Sequence, residues 1–264
     1  MPDIEYFYEL VSWVRTADRK YLSNYYFLQN TLLSKAIEQA EITYHYREKE
    51  YLVLWYQKEQ FKRMYYFIAD AGHYKISNDS DEIYVCDIIC RDPDSSEAGR
   101  ILSRAGMRKH AVYMKWLCRS PVYLNMQSPS DLQIVYEDDG DLFKEKLYLY
   151  FDELSDLLPD KREWDTFLKE KHFIGVHDID RGALAAGMVY SKSGSVITED
   201  FIFVTPAYQG KGISKLLHYA LYEKYAADKV RYIAWIRTDN IKSIGLHSFF
   251  KYQRQEQFKI TFRS

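Results

Sequence analysis

Apolar residues recur at helical spacing early in the chain. They fall at Leu10, Val11 and Val14, then at Tyr25, Leu28, Leu32, Leu33 and Ile37, which predicts helix through the first forty residues. From residue 42 the pattern shortens into runs rich in Tyr, Val, Leu and Trp. These predict antiparallel strands at 42–46, 51–57 and 63–69, and a further apolar strand at 83–90. Asp-Ala-Gly-His at 70–73 and Ser-Asn-Asp-Ser at 77–80 have turn chemistry. Asp-Pro-Asp-Ser-Ser at 92–96 ends the fourth strand and caps a short helix over 97–104, after which extended character returns at 112–117.

Two prolines and three serines in Ser-Pro-Val-Tyr-Leu-Asn-Met-Gln-Ser-Pro-Ser, 120–130, predict a domain boundary. The halves on either side are taken as 1–125 and 126–264. In the second, the pattern predicts a strand at 132–136, helices at 141–154 and 161–171, and strands at 173–176, 183–190 and 196–204. A glycine loop then opens a helix running to about 227, followed by a strand at 232–236, a helix at 241–250 and a strand at 257–262. The halves end alike. "ILSRAGMRKHAVYMKWL" from Ile101 reads as helix, glycine turn, basic residues and strand, and "LHSFFKYQRQEQFKITF" from Leu246 follows the same order, with Met107 matching Tyr252 and Tyr113 matching Phe258.

Composition narrows the classes. With 264 residues and 47% apolar content the chain has ample core, and its 25 tyrosines suit half-buried sheet faces and ligand walls. A formal charge of −2 gives no reason to expect a nucleic-acid partner. Three cysteines, Cys86, Cys90 and Cys118, point to reduced thiols. Asp3 and Glu5 follow Met1 where a secretory signal would be basic and then apolar, and no apolar run approaches the ~20 residues that span a bilayer. The expectation is a cytoplasmic protein without membrane contact.

The most informative stretch is "FVTPAYQGKGISKLL", Phe203 to Leu217. An apolar strand ends at Pro206, two glycines flank Lys211, and Ile213, Leu216, Leu217, Ala220 and Leu221 then trace one helix face. Backbone amides in such a loop, backed by a helix N-terminus, form an anion nest. Gly210 and Gly212 give the backbone freedom that a diphosphate requires. The Walker pattern fits in no register, and the dinucleotide pattern fails because Lys215 stands at its last glycine. Gln/Arg-x-x-Gly-x-Gly/Ala does fit, as Gln209-Gly210-Lys211-Gly212-Ile213-Ser214, with Ser214 as the small last residue.

On these residues, and on element order across 132–262, the second half resembles the GNAT superfamily of N-acetyltransferases. The resemblance implies an α+β fold: a mixed, strongly twisted central sheet with flanking helices, arranged here as two tandem GNAT-like domains. It implies acetyl-CoA as co-substrate, with Gln209 to Ser214 wrapping the pyrophosphate. It also implies that the strand before the loop bulges and splays from its parallel neighbour, where Phe203 and Val204 present main-chain groups to the acetyl-pantetheine. The family's Asn-x-x-Ala-x-x-Leu-Tyr reads here as Asn240-Ile-Lys-Ser243-Ile-Gly-Leu246-His247. Asn240 matches a residue that contacts CoA. His247 replaces the tyrosine that protonates the departing thiolate, and Lys251 replaces a glycine.

Thioester aminolysis needs a neutral amine, a polarised carbonyl and a proton for the sulfur. Glu199 stands four residues before Phe203, where several family members carry a general base. Strand alternation puts it on one face with Phe201 and Phe203, a setting that raises a carboxylate pKa. A solvent-facing acid is the competing reading. His247 is read either as the general acid or as a packed helix histidine, with Tyr208 and Tyr252 as spare hydroxyls. His172, His177 and Asp178 match no ligand spacing, so no metal is expected.

The first half lacks the loop pattern. After the strand at 83–90 it has "RDPDSSEAGRIL" with the single glycine Gly99, a poor phosphate cradle, so CoA is expected only in 126–264. Two functions stay open. One is acetyl transfer from acetyl-CoA to a primary amine of a small molecule or peptide. The other is a CoA-binding sensor or scaffold without turnover. Neither the acceptor nor the oligomeric state is readable.

Overall fold

The computed structural model describes residues 9, 22–24, 42–47, 51–68, 82–121 and 129–264. The helical reading of the first forty residues, the turns at 70–73 and 77–80 and most of the boundary segment at 120–130 lie outside the described residues. The chain forms two compact units, Met1–Val112 with Gln257–Ser264, and Tyr113–Glu256. Among the described residues no helix is long and apolar enough to cross a membrane.

The first unit is a sheet built from β1 (Leu22–Ser23), β2 (Ile42–Arg47), β3 (Tyr51–Gln57), β4 (Lys62–Ile68), β5 (Tyr84–Cys90) and the end of β12 (Gln253–Arg263). Strands β2, β3 and β4 form an antiparallel meander, and β5 lies parallel to β4. Helix α1 (Glu97–Arg104) is capped by Ser96, whose side chain accepts from the Gly99 amide, and it buries Leu102 against Ile88, Ile260 and Phe262.

The second unit orders its strands β7 (Leu132–Tyr136), β8 (His172–Asp178), β9 (Ala183–Ser193), β10 (Val196–Val204), β11 (Arg231–Arg237) and β6 (Arg108–Cys118). Only the β10–β11 pair is parallel. Helices α2 (Asp141–Tyr150) and α3 (Trp164–Glu170) cover one face through Phe143, Leu147, Trp164 and Phe167, which pack on Phe173, Val189, Phe201 and Phe203. Both helices are shorter than expected. The chain instead turns at Asp152 and Asp160, whose carboxylates accept from the amides of Leu154 and Arg162. Helix α4 (Ile213–Lys224) joins β10 to β11, and α5 (Ile241–Phe249) leads into β12.

The internal repeat has a backbone counterpart. After α1 the amides of Ala105, Gly106 and Met107 bond to the carbonyls of Ile101, Ser103 and Leu102. After α5 the amides of Phe250, Lys251 and Tyr252 bond in the same way to Leu246, Ser248 and His247. Both are left-handed helix stops, with Gly106 at φ +88° and Lys251 at φ +64°. The following strands are exchanged. Tyr113 to Cys118 of β6 pair with β11 in the second unit, whereas Phe258 to Arg263 of β12 pair with β5 in the first.

That correspondence relocates one expectation. The first unit's counterpart of β10 is β4, since each is the strand that turns parallel to its successor. The segment to compare with the glycine loop is therefore the one after β4, from residue 69, which lies outside the described residues. By the same correspondence β5 matches β11, so "RDPDSSEAGRIL" after β5 corresponds to the segment that leads from β11 into α5. What the first unit does show is a closed fork. Strands β4 and β5 pair only at Lys62↔Tyr84 and Arg63↔Val85. Beyond that point Asn24 bridges the arms: its Nδ2 donates to Met64 O at 3.0 Å and Asp87 O at 2.9 Å, and its Oδ1 accepts from Tyr66 N at 2.7 Å. A buried Arg63–Asp87 ion pair lies at the apex, with Thr261 Oγ1 donating to Asp87 at 2.5 Å.

Lys251→Gly relieves a left-handed conformation that costs a side-chain-bearing residue ~1–2 kcal/mol, against ~0.5–1 kcal/mol of glycine entropy. The expected outcome is a thermal midpoint raised by about 2 °C, read by calorimetry. A fragment of residues 126–264 lacks the β6 strand and leaves β11 with an open edge. It is expected to aggregate or melt well below the full chain on size exclusion and thermal denaturation.

Candidate active site

A fork in the sheet of the second unit sets the site. Strands β10 and β11 pair in parallel from Val196↔Arg231 to Glu199↔Ala234 and then stop, although β10 runs on to Val204 and β11 to Arg237. Beyond Glu199, β10 stays with β9, reaching Val204↔Ala186. The break coincides with a bulge: Glu199 lies opposite Tyr190, and Phe201 lies opposite the adjacent Val189, so Asp200 is an extra residue. A bulge bends its strand and changes which way the side chains face.

That extra residue corrects the expectation that Glu199 shares a face with Phe201 and Phe203. Tyr190 and Val189 are neighbours on β9 and face opposite ways, so their partners do too. Phe201 and Phe203 join the aromatic layer under α2 and α3, with Phe203 5.6 Å from Phe143 and Phe201 6.3 Å from Phe167 between ring centres. Glu199 faces α4 and α5. Asp200 is held by Lys171 at 2.9 Å.

The glycine loop follows directly. A 3-10 turn, Pro206–Tyr208, starts it, and Tyr208 donates to Asp178 Oδ2 at 2.5 Å, which anchors the turn and removes that hydroxyl from the candidates. Gln209 donates from Nε2 to Val204 O at 3.1 Å, tying the loop to the end of β10. Gly210 and Gly212 have φ +78° and +76°, and a Cβ on either would meet nothing within 4 Å. The glycines are there for conformation, not for space. The amides of Gly210, Lys211, Gly212, Ile213 and Ser214 have no protein acceptor among the described residues, and α4 has no side-chain cap. Such amides at a helix N-terminus suit an anion. Asn240, by contrast, uses Oδ1 to cap α5 by accepting from Ser243 N at 3.0 Å, which leaves its Nδ2 available.

At the apex, Glu199 and His247 come together, as does a residue the sequence reading missed. His247 Nε2 lies 3.1 Å from Glu199 Oε2, and His218 Nε2 lies 3.3 Å from the same oxygen. Tyr252 donates to Glu199 Oε1, and Tyr222 donates to Tyr252 Oη at 3.1 Å. Glu199, His218 and His247 are all buried. His218 stacks on Phe250, centres 4.6 Å apart. It had one legible sign: a polar residue beside Leu217 and Leu221 on the buried stripe of α4.

Local bonds fix both imidazoles. His218 Nδ1 faces Ser214 O at 2.9 Å and His247 Nδ1 faces Ser243 O at 2.8 Å, each the carbonyl four residues back in its own helix. Carbonyls only accept, so both Nδ1 atoms carry hydrogen and both Nε2 atoms point at Glu199. Burial works to raise the Glu199 carboxyl, but the charge of His218, with the contacts of His218 and His247, outweighs it and holds the group well below the usual carboxylate range. This reverses the raised value expected for a carboxylate among phenyl rings. Burial, then the Glu199 charge, push the Tyr252 phenol well above its ordinary value.

The profile of the Acetyltransferase (GNAT) family matches residues 133–252. No curated protein matches the chain by sequence. Among solved structures, a Drosophila protein is 11% identical at TM-score 0.60, covering 99% of this chain and 96% of its own. A tandem GNAT protein from the clavulanic acid biosynthesis pathway is 10% identical at TM-score 0.57, covering 81% and 78%. A GCN5-related N-acetyltransferase from Sphaerobacter thermophilus is 9% identical at TM-score 0.54, covering 82% and 80%. The forked sheet, the open-amide loop and the profile match agree: this chain has the GNAT fold, and its residues 133–252 match the GNAT acetyltransferase family.

Proposed function

We propose that this protein transfers an acetyl group from acetyl-CoA to a primary amine of a small molecule or peptide, with the reaction in the second unit. The observation that carries this reading is the fork that opens at Glu199 beside five amides without acceptors. A diphosphate satisfies those amides, Lys211 adds charge at the rim, and Asn240 Nδ2 is available to the cofactor. The pantetheine arm enters between β10 and β11, along the main chain of Phe203 and Val204.

The amine nitrogen attacks the thioester carbonyl, the carbon–sulfur bond breaks, and one proton must leave nitrogen while one reaches sulfur. Glu199 and His247 act as one unit. The charged carboxylate and the Nε2 lone pair that faces it form one proton-accepting pair, which takes the amine's proton between Oε2 and Nε2 and returns it to the thiolate. Main-chain N–H on the open arm of β10 polarises the carbonyl.

The first unit serves as a silent partner, since Asn24 occupies the main-chain groups on both arms of its fork. One observation favours a second reading, a CoA-binding module without turnover. Tyr252 already donates to one oxygen of Glu199, whose side chain is 1% exposed, and His247 approaches the other.

Gly212→Glu sets a carboxylate before the open amides. It is expected to weaken CoA binding by ~100-fold or more in calorimetry while circular dichroism stays unchanged. Undiminished affinity would remove the loop from the site. Glu199→Gln and His247→Ala are each expected to lower thiol release from acetyl-CoA, across a panel of amines, by ~10²-fold with CoA affinity kept. Tight CoA binding with no thiol release from the unaltered protein selects the module without turnover.

A further inference from the structure

Three buried atoms able to bind a cation converge at the fork's apex. Both imidazoles have Nδ1–H fixed on carbonyls, so in their neutral form each turns a lone pair toward Glu199 Oε2. Glu199 Oε1 is already occupied by the Tyr252 hydroxyl, which leaves Oε2 as the atom facing the two nitrogens. Three potential ligand atoms thus meet in a buried place. The His218 approach has ion-pair distance without hydrogen-bond alignment, so its Nε2, on a side chain 0% exposed, has no hydrogen-bond partner.

A divalent cation would draw on all three atoms, and the spacing suits one. The three atoms lie within 4.8 Å of one another. The Oε2–Nε2 separations of 3.1 and 3.3 Å are close to the edge of a tetrahedron with metal–ligand bonds of 2.0–2.1 Å, about 3.3–3.4 Å. The surroundings are those of metal ligands: each imidazole donates its other N–H to a backbone carbonyl, and the carboxylate accepts from a phenol. Two imidazoles and a carboxylate select a borderline ion such as zinc over magnesium or calcium. Three protein ligands leave a fourth position, and Glu199, the last paired residue of β10, stands where the fork opens.

We infer that Glu199 Oε2, His218 Nε2 and His247 Nε2 form a tetrahedral site for a divalent transition-metal ion, zinc by its donor set. The site goes beyond acetyl transfer and does not depend on it. Occupancy takes the lone pairs of Glu199 and His247, so the metal-bound and proton-carrying forms of the apex exclude each other. No local spacing in the sequence announces the set, because its members come from a strand and two different helices.

The test is titration of cobalt(II) into the full chain freed of metal by a chelator, read by visible absorption. One equivalent is expected to give the intense d–d bands of tetrahedral cobalt, which zinc(II) then bleaches. His218→Gln and His247→Gln, confirmed folded by circular dichroism, should lose those bands, and Tyr252→Phe should weaken cobalt binding ~10-fold or more. Zinc should also raise the thermal midpoint of the unaltered protein, so the inference stays testable if the variants misfold. A spectrum no stronger than that of aqueous cobalt overturns the site, as do bands that persist in both histidine variants. CoA binding measured on the same samples separates the two readings. Cobalt without CoA retains this site and ends the acetyl reading, whereas CoA without cobalt ends only the site.

Discussion

Most of what is distinctive in the second unit follows from one interrupted pairing. The parallel β10–β11 ladder closes four residue pairs and then gives way, because the bulge at Asp200 keeps β10 on β9 and turns it from β11. The backbone groups on the open side of β10 face a gap, and the strand delivers the chain into a loop whose amides have no acceptors. The same extra residue sends Glu199 to the face opposite Phe201. Had the ladder continued without it, the carboxylate would face the aromatic layer and lie away from the two imidazoles.

The first unit shows what closing such a fork looks like. Its parallel pair also ends early, at Arg63↔Val85, but the side chain of Asn24 bonds to main-chain groups on both arms and β1 pairs with the far end of β4. The two units share a strand order, a helix stop repeated bond for bond, and an exchange of final strands. They differ in whether the split backbone is satisfied from within. A buried polar backbone group needs a partner, so each fork must be filled by the chain or by something else.

The apex adds electrostatics to that geometry. Glu199 is buried, which by itself disfavours its charge, yet two imidazoles and a phenol converge on it and reverse the balance. Helix α4 supplies His218 and Tyr222 one turn apart, and the stop after α5 brings His247 and Tyr252 to the same carboxylate. A polar network this deep constrains both helices against the strand.

Sequence alone determined the elements that local chemistry specifies: the strand runs of the second half, the amphipathic α4, the left-handed glycines of the loop and the helix stop repeated at Gly106 and Lys251. These depend on residues within a few positions of one another, where period and backbone freedom are legible. Helices α2 and α3 came out shorter than their apolar pattern, because Asp152 and Asp160 bond to nearby amides in turns. The family resemblance implied that β10 bulges, but tertiary structure alone decided that the extra residue is Asp200, the exchange of the last strands and the meeting of Glu199 with His218. A bulge leaves the in–out burial pattern of β10 unbroken when both faces are covered, an exchange of like strands leaves every local pattern intact, and His218 gains its meaning from a carboxylate on another element.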